Sequence, residues 1–301
     1  MPHHVRPLSR RQLVLSSLLA PALPTTAAAA PPESAAVVLR YFPVGPIYDY
    51  RWKLLELVLR RTQRHGEPAP RLEPAGGDAS QSRAVLQLED NALDVLALGV
   101  NEERTAELLP VRIDILKGIV GFRIFIIRAE DQPRIAKMGP RALRTNLVYG
   151  LNNQWADLPV MKANGFNVQG GTGYDNLFAM LAARRFDAFP RGLNEAYREI
   201  ELQHANYPAL AVERHKALYI PYPVYFWVNQ RNTALAQRIR KGLQAAEADG
   251  SFRQLFEHYH AQEIATLARE PRQVLRLRNP QLKPVDAVPD TSWWWPRAPQ
   301  S

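Results

Sequence analysis

"YDNLFAMLAARRFDAF", residues 174–189, changes character halfway along. The part around Leu177–Ala183 reads as a helix, and Phe186, Ala188 and Phe189 read as a short buried strand. Pro190, Arg191 and Gly192 are expected to stop that strand. A helical segment with Glu195, Glu199 and Glu201 follows. Helix, buried strand and helix in succession are the repeating material of an α/β protein. The C-terminal end of a strand in an open α/β sheet is where ligands are held, so Arg191 stands at a position of that kind.

The same alternation runs outward in both directions. "VVLRYF" (37–42) reads as a first strand, followed by a helix over 48–63 with Leu54, Leu55, Val58 and Leu59 on one face. "SRAVLQLEDNALDVLALGV" (82–100) is a helix ending near Asp90, then a buried strand. "GFRIFIIR" (121–128) is a longer strand rich in β-branched residues, and "TNLVYGLN" (145–152) is a strand with a turn. A helix is expected from about Gln154 to Asn164, then a strand at "FNVQGG". "ALYIPYPVYFWVN" (217–229) is a late strand region broken by prolines. The helix over 232–250 has Asn232 at its start and Gly250 at its close, and "SFRQLFEHYHAQEI" continues as a second helix. Strands alternating with helices predict the α/β class with largely parallel pairing.

Length and composition set the frame. The 301 residues suffice for two lobes, and 46% hydrophobic with 22% charged residues is an ordinary globular balance. There is no cysteine, which excludes disulfides, a thiolate nucleophile and a cysteine-based metal site. Residues 1–30 have a basic start, an apolar stretch and an Ala-rich end, the layout of an export signal cut near Ala27–Ala30. Ser9-Arg10-Arg11-Gln12-Leu13-Val14 resembles a twin-arginine signal, with a general secretory signal as the alternative. Pro21 and Pro24 interrupt a run shorter than the ~20 residues a membrane span needs.

Removing that segment takes away three arginines and no acid, lowering the formal charge of +9 by three. The loose basic clusters "RTQRHGEPAPR" and "RQVLRLRNPQLK" read as solvated surface, and no nucleic-acid partner is expected. Gly170, Gly171 and Gly173 do not form a nucleotide fingerprint. His258 and His260 point to different helical faces and no HExxH occurs, so no metal is expected. G-x-S-x-G is absent as well, which leaves no nucleophile elbow. No cofactor and no catalytic residue follow from these patterns. The tail after Pro280, with Trp293–Trp295, is irregular and is expected to dock on the body, the alternative being contact with a partner.

Three stretches together carry a family resemblance: "LQLEDNALDVLALGVNEERTAELLPV", "LFAMLAARRFDAF" and "NTALAQRIRKGLQAAEADGSFRQLFEHY". In order and spacing, from about Val37 to Tyr259, the chain resembles type II periplasmic solute-binding proteins of the polar amino-acid class (bacterial extracellular solute-binding family 3). The resemblance implies two α/β lobes, each with a mainly parallel sheet, joined by two crossing strands. Lobe one would comprise 36–120 plus 222–301 and lobe two 129–212. The crossings would fall at 121–128 and 213–221, with 281–301 as the irregular tail.

It also implies ligand-binding residues. Arg104, in "NEERT", matches the family arginine that clamps a ligand carboxylate; its fork-shaped guanidinium suits that task, and the alternative is a surface charge beside Glu102 and Glu103. The family's ammonium-binding aspartate would fall at Gly192, five residues beyond Asp187. With that acid missing and Arg191 adjacent, a carboxylate, a dicarboxylate or another anion fits better than an ordinary amino acid. Glu195 could still supply the acid if the turn redirects the chain, or could pair structurally with Arg191. Asn152, Asn153 and Gln154 offer donors at a helix start. Trp155 caps a ligand or packs in the core. Tyr48 and Tyr50 flank a ligand or form a core pair, and Tyr174 follows as a further candidate. The expected function is capture of a small polar solute, anionic or carboxylate-bearing, by lobe closure in the periplasm. The protein would act as a monomer beside an ABC-type permease or a sensor kinase. The alternatives are a dehydratase-like enzyme on the same scaffold, with Glu195 or Asp175 as general acid, and a degenerate receptor acting through a protein partner.

Overall fold

A computed structural model describes residues 1–3, 38–43, 48–76, 80–100 and 102–295 of the chain. Ala35–Ser301 forms one unit. The expected export signal lies outside the described residues beyond His3, so its reading stays an expectation.

Two groups of strands organise this unit. In the first, β1 (Val38–Tyr41) pairs in parallel with β2 (Arg71–Pro74), and a single bridge from Tyr41 to Val95 ties this pair to β3. β3 (Leu96–Gly99), β11 (Val224–Asn229) and β4 (Leu108–Val111) form a sheet in that order, with β11 antiparallel to both neighbours. Alternation decides which side each β11 residue faces. Val224, Phe226 and Val228 enter the main core, whereas Tyr225 and Trp227 enter a smaller cluster with Leu88, Leu96 and Leu98.

The second group is a seven-stranded sheet. Its path runs β12 (Gln273–Arg276), β10 (Lys216–Tyr219), β5 (Phe122–Arg128), β8 (Ala188–Gly192), β6 (Val148–Asn152) and β7 (Asn167–Gly171), and β9 (Leu210–Val212) also pairs with β5. β6 runs parallel to β7 and β8, whereas β5 runs antiparallel to β8, β9 and β10. The parallel ladders expected from helix–strand alternation are therefore joined by antiparallel ones. β5 and β11, which run against their neighbours, each follow a passage of the chain from one strand group to the other. All seven residues of β5 are buried, which accounts for its continuous apolar run.

Helices cover both groups. α1 (Asp49–Arg61) buries Leu54, Leu55, Val58 and Leu59 and packs on α9 (Thr233–Ala248) and α10 (Ser251–Arg269). α9 starts where Asn232 accepts the Leu235 N–H at 3.2 Å. α2 (Gln81–Glu89) starts where Ser80 accepts the Arg83 N–H. α3 (Glu102–Glu107) precedes β4, and α4 (Gln132–Ala136) and α5 (Pro140–Thr145) lie between β5 and β6. α6 (Asp157–Ala163), α7 (Tyr174–Ala182) and α8 (Leu193–Gln203) complete the second group.

The chain passes between the groups after β4, returns after β10, and joins the second group again at β12. The first two of these passages touch: the Ile220 N–H donates to the Gly121 carbonyl at 2.9 Å. A Cβ on Gly121 would stand 2.1 Å from the Ile220 carbonyl oxygen, so only glycine permits this approach.

β8 differs from its expected form, because the strand continues through Pro190 and Arg191 to Gly192. β6 pairs with β8 only at Tyr149–Ala188, and β5 pairs with it through Gly192. The β6 side of the ladder has ended before Pro190, which makes the missing proline N–H tolerable there.

The tail docks on the body. Trp294 is buried and its Nε1–H donates to the Lys117 carbonyl at 2.7 Å. Trp295 stands edge-on to Phe122 and Tyr219, and Trp293 to Phe252 and Phe256.

Candidate functional site

Between the two strand groups lies a chamber of about 70 Å³ whose wall mixes residues from both. Tyr48 and Arg51 reach it from α1 and the residue before it. Arg123 comes from β5, Asp157 from the start of α6, Arg191 from β8 and Glu195 from α8. A larger chamber of about 560 Å³ lies alongside, between α2 and the Asn153–Pro159 segment. Gln81 and Trp155 belong to the walls of both.

The inner chamber is an ionic cluster. Arg191 Nε donates to Glu199 Oε2 at 2.7 Å, its Nη2 donates to Glu199 Oε1, and Glu195 Oε2 lies 3.3 Å from Nη2. Its guanidinium lies over the Trp155 ring, 4.5 Å from the centroid, with Phe189 and Tyr174 also within reach. Burial works against the Arg191 charge, but the Glu195 and Glu199 carboxylates more than offset it and hold its pKa well above the ordinary value. Glu199 has no exposed surface, and burial raises its pKa against the pull of Arg191. The positive excess expected beside Gly192 is therefore absent: Arg191 faces two carboxylates.

Glu195 is the hub. Its Oε2 accepts the Gly192 N–H at 2.9 Å and lies 3.5 Å from Arg123 Nη1, and its Oε1 accepts the Tyr48 hydroxyl at 3.3 Å. Burial opposes its ionisation, but Arg191, Arg123 and the Gly192 N–H together hold its pKa below the usual carboxylate range. A carboxyl kept ionised is poorly suited to the general-acid role considered for Glu195. Asp175, the other acid considered, accepts from Gln203 Nε2 at 3.2 Å on an exposed surface.

Arg123 pairs with Asp157 at 2.7 Å, and its buried Nε has no hydrogen-bond partner among the described residues. Arg51 is 6% exposed; one Nη donates to the Ala97 carbonyl at 2.8 Å and the guanidinium lies 4.4 Å from the centroid of the Tyr48 ring. No carboxylate among the described residues forms an ion pair with it. Burial lowers the Arg51 pKa, while Tyr48 and Glu195 act in the opposite sense. Burial raises the Tyr222 hydroxyl opposite to about 12.

The candidates from sequence separate into groups. Tyr48, Trp155, Arg191 and Glu195 meet at the inner chamber. Arg104, Asn153 and again Trp155 line the outer one. Arg104 is buried, donates to the Gly99 carbonyl and lies 5.9 Å from the Trp227 ring centroid. Trp155 also stacks on Phe189 at 6.0 Å. Tyr174 lies against Arg191 and Phe178 behind the chamber wall. Tyr50 points into the core, donating to the Ile115 carbonyl at 2.9 Å among Phe256, Tyr259 and His260.

Asn152 forms a local turn, with its Oδ1 accepting the Gln154 N–H at 2.9 Å. The Trp155 N–H donates to the Asn152 carbonyl, and α6 begins only at Asp157. The backbone N–H groups of Gln154 and Trp155 are thus used within this turn.

Arg51, Arg123, Asp157 and Tyr222 were missed as site residues. Arg51 carried a signal: it falls on the stripe 51, 54, 55, 58 that α1 buries, where a guanidinium needs a reason. Arg123 is likewise a charge inside a buried strand. Among the described residues no group of three or more His, Cys, Asp or Glu is placed to hold a metal ion, and no helix is long and apolar enough to cross a membrane.

No family model and no curated protein matches the chain. Solved structures do share its fold. A double mutant of the VFT2 domain of Bordetella pertussis BvgS superposes with a TM-score of 0.56 at 18% identity, over 74% of this chain and 93% of that one. An ancestral arginine-binding protein bound to arginine gives 0.55 at 15% identity, over 74% and 97%. A histidine kinase sensor domain with similarity to periplasmic binding proteins gives 0.54 at 16%, over 75% and 96%. At these identities the likeness shows the fold: an α/β architecture shared with two-lobed binding proteins and sensor domains.

Proposed function

We propose that this chain is a periplasmic receptor domain that captures a small solute between two lobes, gripping it through a carboxylate or similar anionic group at Arg51. The observation that carries this reading is the Arg51 guanidinium itself: 6% exposed, on the chamber wall, and without an ion-pair partner among the described residues. Keeping an unpaired charge out of water is costly, and a carboxylate accepting two parallel N–H bonds offsets that cost. The neighbouring Arg123 Nε supplies a further buried donor.

In this reading lobe one is 36–120 with 222–301, lobe two is 129–212, and the crossings are 121–128 and 213–221, with the exception that β12, inside 222–301, pairs with β10 in the second sheet. Tyr48 and Glu195 stand on opposite sides and are bonded directly, so a bound solute and this contact would both favour the closed arrangement. The fold's likeness to periplasmic binding proteins and a sensor domain supports a role in solute capture for an ABC-type permease or a sensor kinase.

A thermal-shift titration of the full chain tests the reading. Small carboxylates are expected to raise the melting temperature with concentration, and Arg51→Met to abolish that rise. Calorimetry without ligand on the same variant reports whether its fold is intact. Stabilisation by carboxylates that survives Arg51→Met would overturn the assignment, as would its absence from the native chain.

A further inference from the structure

The inner chamber is too small for most solutes, and it shares the walls of Gln81 and Trp155 with the outer one. At roughly 10–15 Å³ for each small occupant, its volume of about 70 Å³ takes about five heavy atoms, the size of propionate. On the far side of Gln81 and Trp155 lies the outer space of about 560 Å³, within the range of sites for whole small molecules.

We infer that the solute is an extended, chain-bearing carboxylate: its head sits at Arg51 in the inner chamber, and its carbon chain passes between Gln81 and Trp155 into the outer one. This rests on the reading of Arg51 given above and adds the class of ligand.

The outer wall suits such a chain. Val85 and Leu86 of α2 face Trp155 and Pro159 across the chamber. Leu86 is 59% exposed although it is a large apolar residue, so apolar carbons laid against it remove surface from water on both sides. Asn153 and Gln154 stand exposed at the same wall and can bond a polar group at the far end of the chain. A compact amino acid would leave this outer space unused, whereas an extended chain fills both volumes.

The test is a chain-length series of acetate, propionate, butyrate, hexanoate and octanoate, titrated into the full-length protein by calorimetry at fixed ionic strength. Beyond propionate the affinity is expected to rise about twofold per methylene, as half-burial of each CH₂ implies. Leu86→Glu places a charge on the outer wall at an exposed position and is expected to weaken octanoate at least tenfold. Its melting temperature without ligand reports on the fold. Octanoate binding no tighter than propionate, or octanoate indifferent to Leu86→Glu, overturns the extended ligand while the receptor reading stands. Octanoate binding that survives Arg51→Met overturns the placement of the head. No binding at any chain length overturns the receptor reading and this inference with it.

Discussion

Glu195 folds back so that its Oε2 accepts the Gly192 N–H at 2.9 Å, and the same oxygen stands 3.0 Å from where a Cβ on Gly192 would lie. The carboxylate thus fills the space a side chain at 192 would take. The carboxylate beside the turn comes from three residues later, in the first turn of α8, where Glu195 also pairs with Arg191 and Arg123.

Placing an aspartate at 192 should therefore harm the protein. In Gly192→Asp the new Cβ meets Asn194 Oδ1 at 2.7 Å and Glu195 Oε2 at 3.0 Å, and the second carboxylate repels the first. Overpacking of this kind costs about 1–3 kcal/mol. A lower urea midpoint is expected, and an unchanged one would show that Glu195 is not held against Gly192.

Removing Arg191 should be worse than removing its pair. Arg191→Met leaves Glu199 with no exposed surface and no counter-charge, at a cost of about 3–5 kcal/mol. Arg191→Met with Glu199→Leu should recover most of that loss. Denaturant unfolding of the single and double variants measures the difference, and equal losses in both would contradict the pairing.

His260 should make the protein sensitive to mild acid. Burial lowers its pKa to about 3, with the Arg198 and Arg51 charges acting the same way. The unfolded chain titrates near the ordinary 6.5. Between these values only the unfolded chain takes the proton, so stability falls as pH drops from about 6.5 towards 3, by at most ~1.4 kcal/mol per pH unit. His260→Phe should flatten that dependence in unfolding measured between pH 6.5 and 4. Parallel slopes would mean that the folded protein protonates His260 after all.

The tail should contribute to stability through one indole. Trp294→Ala removes a 2% exposed side chain, its bond to the Lys117 carbonyl and its edge contact with Phe122. A loss of about 3–5 kcal/mol is expected, read as a fall in melting temperature. Little change would show that the tail rests on the body without supporting it.

Much of the architecture was legible because it is local. Asn232 opening α9, the buried run of β5 and the helix-to-strand change between α7 and β8 each depend on residues within a few positions of one another. The continuation of β8 through Pro190 was not legible, because a proline in a strand is tolerated or forbidden according to which neighbouring strand is still paired there. Arg191 was legible as a residue at a strand end. Its strongest partner, Glu199, lies eight positions away and faces it only because the strand turns into α8 at Gly192.

By itself the sequence determined which segments are helices and strands, the α/β class and the presence of charges at strand ends, since backbone preference and hydrophobic period act over short range. Only the tertiary structure decided how those charges are spent. Tyr48 and Glu195 are 147 positions apart yet bonded, and Arg51 of α1 reaches the Ala97 carbonyl on β3. Coulomb energy depends on distance in space and on burial, so which guanidinium meets a carboxylate, as Arg191 does, was settled by packing.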